Sequence, residues 1–316
     1  MIKRKSILIV GILIAIIFTP LCIDLTLELL SPFQIKCHGR FSEGLEVIEL
    51  KGKQGYRNTE NKIVIAPSFD FAGAFSEGLA PVAVQGKYGY INKTGKLIIP
   101  YQFDYAAAFS ESLAPVKQNG KYGYIDKKGE IIIPFNFIVA DSFSNGTAQI
   151  YENDKSGFIN KKGEIIIEPS YFLAHKFSEG FAAVSINHKW GFINKKNQVV
   201  IKPQYDFARD FREGVASVML NKKWGYINKS GDYIIKPKFE NAFVFSDGLA
   251  AYIKDGKWGY IDKTASTVIK PLFYWASPFK NGYARVLIVK GEKAIIDKTG
   301  KIISESWTPP NQQVEK

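Results

Sequence analysis

Apolar and polar residues in this chain alternate in short runs, and the runs come back in fixed order. Leu79-Ala80-Pro81-Val82-Ala83-Val84 leads into Gln85-Gly86, then into the aromatic run Lys87-Tyr88-Gly89-Tyr90-Ile91. Asn92-Lys93-Thr94-Gly95 follows, then a further apolar run from Lys96 to Ile99, which meets Pro100. Period-two runs bounded by Asn, Asp and Gly predict strands joined by tight turns. The order returns every 34 residues: Gly55, Gly89, Gly123, Gly157, Gly191, Gly225 and Gly259 share one column, and Phe41, Phe75, Phe109, Phe143, Phe177, Phe211, Phe245 and Phe279 another. A period of this size marks an array of repeated units, so each residue has meaning through its column.

The columns predict the local structure. Gln85-Gly86, Asn119-Gly120 and Asp255-Gly256 supply the positive φ angles of a two-residue hairpin. Asn92, Asp126 and Asn160 begin a second turn and cap it with their own side chains; its last position wants a left-handed backbone, which Gly95, Gly129 and Gly163 supply and Ala265 does not suit. Proline ends the third strand for want of an N–H. Each unit is therefore a three-stranded antiparallel meander plus a linking segment such as Phe103-Asp104-Tyr105-Ala106, which forms an edge strand or one helical turn. The small residue of the Gly column admits a close neighbour across the unit interface. Alanines at 72, 106, 140, 174, 208, 242 and 276 accompany the Phe column where large rings pack close to a backbone.

Eight units fit between residues 31 and 305, and the outer ones match worst: His38 stands in the Ala column, and Ala294 replaces Gly in a last unit one residue longer. Atypical ends suit the capping repeats of an open array. The expected fold is all-β, an open curved solenoid or superhelix, with a β-propeller as the alternative. Segment 1–30 is read as an N-terminal signal-anchor or signal peptide and 306–316 as a disordered tail.

The motifs Lys189-Trp190-Gly191-Phe192-Ile193-Asn194-Lys195, Lys223-Trp224-Gly225-Tyr226-Ile227-Asn228-Lys229 and Lys257-Trp258-Gly259-Tyr260-Ile261-Asp262-Lys263 resemble the WG-repeat proteins, over roughly residues 32 to 305. Tyr88, Tyr122, Gln54 and Ser156 replace the family's Trp elsewhere. The resemblance implies a bacterial β-repeat protein and carries no catalytic residues with it.

Composition adds partners and place. Lys3, Arg4 and Lys5 precede an uncharged run, within which Ile7 to Ile23 spans 17 residues, and no small-x-small cleavage site follows. The expectation is a retained membrane anchor with the repeats on the extracytoplasmic side; secretion after cleavage is the alternative. Of 42 Lys plus Arg, two columns hold many: Lys53, Lys87, Lys121, Lys155, Lys189, Lys223 and Lys257, and Lys93, Lys127, Lys161, Lys195, Lys229, Lys263 and Lys298. With a net charge of +12 they make a candidate stripe for an anionic ligand. The competing reading is that they flank turns and guard strand edges, as the family motif itself requires. No cofactor or metal pattern, phosphate loop or nucleophile motif appears, and the acidic column Glu43, Glu77, Glu111, Glu179 and Glu213 repeats as structural residues do. The expected function is a non-catalytic binding or scaffold protein of the cell envelope, engaging a protein or an anionic envelope polymer. One alternative is an envelope hydrolase or hydrolase inhibitor whose site brings together Asp141, Asn145, His175 and His188. The other is nucleic-acid binding through the lysine stripes, disfavoured by the anchor.

Overall fold

The computed structural model describes residues 36–305. The expected anchor and tail lie outside the described residues. The first sheet comprises β1 (Lys36–Ser42), β2 (Leu45–Leu50), β3 (Lys53–Asn58) and β4 (Ile63–Phe69), and the second β5 (Phe71–Ala72), β6 (Leu79–Val84), β7 (Lys87–Asn92) and β8 (Leu97–Phe103). Six more sheets of the same design follow, giving eight four-stranded antiparallel sheets in chain order.

The predicted hairpin turn forms as expected. Gln85 and Gly86 have φ of 51° and 77°, and the pairing runs from Leu79↔Asn92 to Val84↔Lys87. The second turn is also as read: the Asn92 side-chain oxygen accepts from the Thr94 and Lys96 N–H groups, each at 3.0 Å. The linking segment resolves into the edge strand. Phe71 and Ala72 pair with Ala83 and Val82, so each unit closes as four strands. The chain then runs back along β6 and reverses at Ser76-Glu77-Gly78-Leu79, with Glu77 and Gly78 at φ 54° and 88°. That third tight turn was not read from the sequence.

Two expectations need correction. Proline does not end the third strand: β8 passes through Pro100 to Phe103. The strand is an edge strand, where the missing donor is tolerated, and the proline sits in a bulge between Tyr88↔Phe103 and Tyr90↔Ile99. The Gly column also faces a different neighbour. A Cβ on Gly89 would lie 2.5 Å from the Ile99 carbonyl oxygen, on the bulge of the adjoining strand in the same sheet, not on the next unit.

The sheets pack face to face through seven apolar cores, each joining one sheet to the next. In one, Leu79, Tyr90, Ile99 and Phe103 of the second sheet meet Ala106, Phe109, Ala114, Val116 and Ile125 of the third. Tyr90 and Ile91 leave β7 on opposite faces, so Ile91 serves the preceding core. Successive sheets are offset: β7 lies against the first strand of the third sheet, Tyr105–Ala106, and β8 against its second, Ala114–Gln118. Among the described residues no core joins the eighth sheet to the first. The first sheet carries an ion pair, Arg57 to Glu46 at 2.5 Å, at the register position held by Ala80 and Ile91 in the second. The one-residue insertion of the last unit is absorbed by a 3-10 turn, Val289–Gly291, in place of the two-residue hairpin.

Candidate functional site

The second lysine column is locked into the joints between sheets. The Lys93 ammonium lies 3.0 Å from Glu43, Lys127 2.9 Å from Glu77, Lys161 and Lys229 each 3.1 Å from Glu111 and Glu179, and Lys263 3.4 Å from Glu213. Each of these glutamates belongs to the preceding sheet. Each also accepts a backbone N–H of the next unit, as Glu77 does from Ser112 at 3.1 Å and Glu111 from Gly146 at 3.0 Å. Lys195 donates to the Asn145 carbonyl at 2.5 Å, as Lys161 and Lys263 do to those of Glu111 and Glu213, but Asn145 has no carboxylate to add an ion pair. The acidic column and this lysine column are therefore one device, a clamp that ties the Ser-Glu-Gly turns of neighbouring sheets.

The first lysine column is only partly neutralised. Lys53 pairs with Asp70 at 2.5 Å, and Lys87 and Lys189 pair with Asp104 and Asp206, each at 2.6 Å. Lys257 lies over the Tyr274 ring. Lys121, Lys155 and Lys223 have no ion pair among the described residues. The place of the aspartate is taken by Ile138, Phe172 and Glu240 in those units.

Beside this column runs a ladder of rings. Phe71–Tyr88 and Tyr88–Tyr105 centroids are each 5.6 Å apart, and Tyr105–Tyr122 6.0 Å. The ladder resumes with His175–Trp190 at 4.9 Å, Trp190–Phe207 at 5.0 Å and Phe207–Trp224 at 5.9 Å. The Arg209 guanidinium lies 4.4 Å from the Trp224 centroid and 5.2 Å from that of Phe243, and so bridges the next step by cation–π contact. Between Tyr122 and His175 the ladder is broken, because Ser156 holds the place of the ring. Ser156 is buried and accepts from the Gln149 side chain at 3.0 Å.

The irregular residues do not form one cleft. Asp141 and His175 hold the same position in successive sheets, and His175 Nδ1 is 2.9 Å from an Asp210 carboxylate oxygen. Burial raises the Asp141 carboxyl above its usual range, against the pull of Lys176. Asn145 sits in the turn that opens the strand Thr147–Glu152, whereas His188 sits in the hairpin after Phe181–Ile186. The two turns mark opposite ends of their sheets, so the grouping proposed for a hydrolase or inhibitor is not assembled. No cluster of three or more metal-ligating side chains occurs among the described residues.

The model of the WG containing repeat matches seven consecutive segments: 55–88, 88–122, 122–155, 157–190, 190–224, 224–258 and 258–288. The chain belongs to the WG-repeat family. No curated protein matches it. Among solved structures, one described as the eukaryotic initiation factor superposes with a TM-score of 0.58 at 11% identity, covering 84% of this chain and 86% of that one. BamB from Moraxella catarrhalis gives a TM-score of 0.43 at 9% identity over 85% and 96%. The WD40 beta propeller domain of Doa1 gives 0.32 at 11% over 71% and 90%. The first of these is a likeness of fold alone, and the other two are too loose to bear on function.

The two letters of the WG motif have separate physical duties. The Trp at 190, 224 and 258 is a buried rung of the ring ladder. The Gly beside it clears the bulge: a Cβ on Gly191 would meet the Ile201 oxygen at 2.5 Å. What sequence reading missed is the exposed apolar set left where WG repeats four and five depart from their own columns. Ile138 and Phe172 are 51% and 72% exposed, and Val139 and Leu173 beside them 41% and 48%. The signal was available: in the column that holds Asp70, Asp104 and Asp206, these two units alone carry aliphatic or Phe side chains.

Proposed function

We propose that this WG-repeat chain is a non-catalytic binding scaffold of the cell envelope, held at the membrane by its N-terminal segment and engaging a protein partner along its side. The observation that carries the reading is the half-exposed strip of rings and aliphatic side chains, from Phe71 and Tyr105 to Phe172 and Leu173, beside a lysine column of which Lys53, Lys87 and Lys189 are paired internally. An anionic polymer needs free cations at regular spacing. Here the second column is turned inward to Glu43, Glu77, Glu111, Glu179 and Glu213, which favours a protein over a polymer. We take the series of sheets as an open curved array whose outer units depart from the shared columns.

The test is photocrosslinking in intact cells with a crosslinking residue at Tyr105 or Phe172. A reproducible protein adduct is expected at these positions and not at Lys96, just before the far strand β8. Absence of any protein adduct, or tight and steeply salt-dependent binding of the purified chain to an anionic polymer, would overturn the reading. The anchor is tested separately: the membrane fraction should hold a protein whose N-terminus still reads Met1 or Ile2, and a soluble species starting after residue 20 would point to cleavage.

A further inference from the structure

We propose that the exposed edge where Phe172 stands at the joint between the fourth and fifth sheets, together with Ile138 at the joint before it, docks a segment of a partner protein that carries apolar anchors flanked by carboxylates. The proposal rests on the reading that the partner is a protein.

Three kinds of polar tie recur at the joints; other joints lack one or two of them, as the next one lacks the hydroxyl at Phe192, and this joint lacks all three. Tyr56, Tyr90, Tyr124, Tyr226 and Tyr260 each donate a hydroxyl to a carbonyl of the next unit, at 2.7 Å in every case. At this joint the position is Phe158, which has no hydroxyl to give. The glutamate clamp is replaced by Asn145, whose amide instead reaches the Phe177 carbonyl at 2.9 Å in place of the serine bond seen from Ser110 to Phe143. The Lys–Asp pair is replaced by Lys155 facing the position of Phe172, and the neighbouring joint by Lys121 facing that of Ile138.

The joint keeps polar bonds from Gln149 to the Ala174 carbonyl and from Tyr171 to Asn197, but its outer edge is apolar, and Lys155 here and Lys121 at the neighbouring joint have no ion pair among the described residues. Glu152 stands opposite Lys155 in the strand register, but no ion pair joins them among the described residues. A partner carboxylate beside each lysine would take the place of the missing aspartates, and apolar side chains between them would cover Phe172, Leu173, Ile138 and Val139. Burying such side chains supplies the driving force, while the lysines set orientation and exclude basic segments. Phe172 is the anchor point because it is the most exposed aromatic ring among the described residues at 72%.

The full chain in mild detergent is titrated against three fluorescein-labelled peptides: alternating Leu and Asp, alternating Ser and Asp, and alternating Leu and Lys. Only the Leu/Asp peptide is expected to bind. Phe172→Asp should weaken it about tenfold, as should the double change Lys121→Glu with Lys155→Glu, and the double variant should gain the Leu/Lys peptide. Both variants alter exposed positions, and unchanged thermal midpoints confirm that they fold. Equal affinity in wild type and variants overturns the proposal, as does no binding of the Leu/Asp peptide. So does a Phe172→Asp effect found only on phosphatidylglycerol vesicle binding or on self-association, which would assign the edge to a membrane or a second copy. If cells yield a protein adduct from Tyr105 but none from Phe172, this proposal fails while the protein-binding reading stands; no adduct from either sinks the reading itself.

Discussion

Ala265 occupies the last position of its turn at φ 67°, where Gly95, Gly129, Gly163, Gly231 and Gly300 stand in other units. A left-handed backbone costs a β-carbon about 1–2 kcal/mol, and glycine returns part of that through its freedom when unfolded. Ala265 also packs against the core containing Ile235, so its methyl is not idle. Ala265→Gly is therefore expected to stabilise by only about 0.5 kcal/mol, read as a small rise in thermal midpoint. The carboxylates Asp70, Asp104 and Asp206 respond to pH. Lys53, Lys87 and Lys189 respectively, and then a backbone N–H of the hairpin turn, hold each below the usual range. Because the folded values lie below the unfolded one, their contribution is present above about pH 4 and is lost as pH falls through the folded values. The thermal midpoint should be flat from about pH 5 to 7 and drop below about pH 4, and Asp104→Asn should shallow that drop. A midpoint insensitive to acid would show that the pairs add nothing. These pairs are exposed, and the effect should be small.

At the scale of the strand, the central column decides most. A Cβ on Gly225 would lie 2.5 Å from the Ile235 oxygen and 2.6 Å from the Pro237 nitrogen, and both are backbone atoms that cannot rotate away. Gly225→Val is expected to cost about 3 kcal/mol or more by forcing the bulge of Tyr233–Phe239 off its partner. Lys223→Ala, at an exposed position two residues earlier, should stay within about 0.5 kcal/mol. Urea unfolding of the two variants separates them, and equal midpoints would show that the bulge can shift at little cost. The sequence already marked the column as needing a bare Cα. It could not say whether the close neighbour was the next unit or the next strand, because that depends on a bulge whose residues carry no signal beyond a proline.

At the scale of the molecule, the sheets touch in series and the array is as strong as its joints. The fourth joint lacks the clamp. Asn145 already has φ 55°, the conformation of Glu111 and Glu179 at 54° and 50°, so a glutamate fits the backbone there without added strain. Asn145→Glu is expected to bring a carboxylate to Lys195 and the Gly180 N–H, while Ser144 becomes free to donate to the Phe177 carbonyl. The gain should be about 1 kcal/mol, seen as a higher midpoint and slower amide exchange at Gly180. No change in Gly180 exchange would show that the joint is already closed by other contacts.

The strand pattern, both predicted turns, the number of units and the family were all determined by sequence, because each is fixed within about ten residues by alternation, glycine and asparagine. The same columns marked the buried rings, since Tyr90 and Phe109 recur at the spacing that brings them to 4.9 Å. Only the tertiary structure decided what the two lysine columns do. Lys93 and Glu43 are 50 residues apart and meet only when one sheet is laid on the next, so no local pattern announces their pairing. The same holds for the offset of successive sheets, which lays β7 and β8 of one sheet against the first two strands of the next, and for the exposure of Phe172. Whether a ring is buried or bare depends on what a neighbouring unit places over it, and that is a property of the stack.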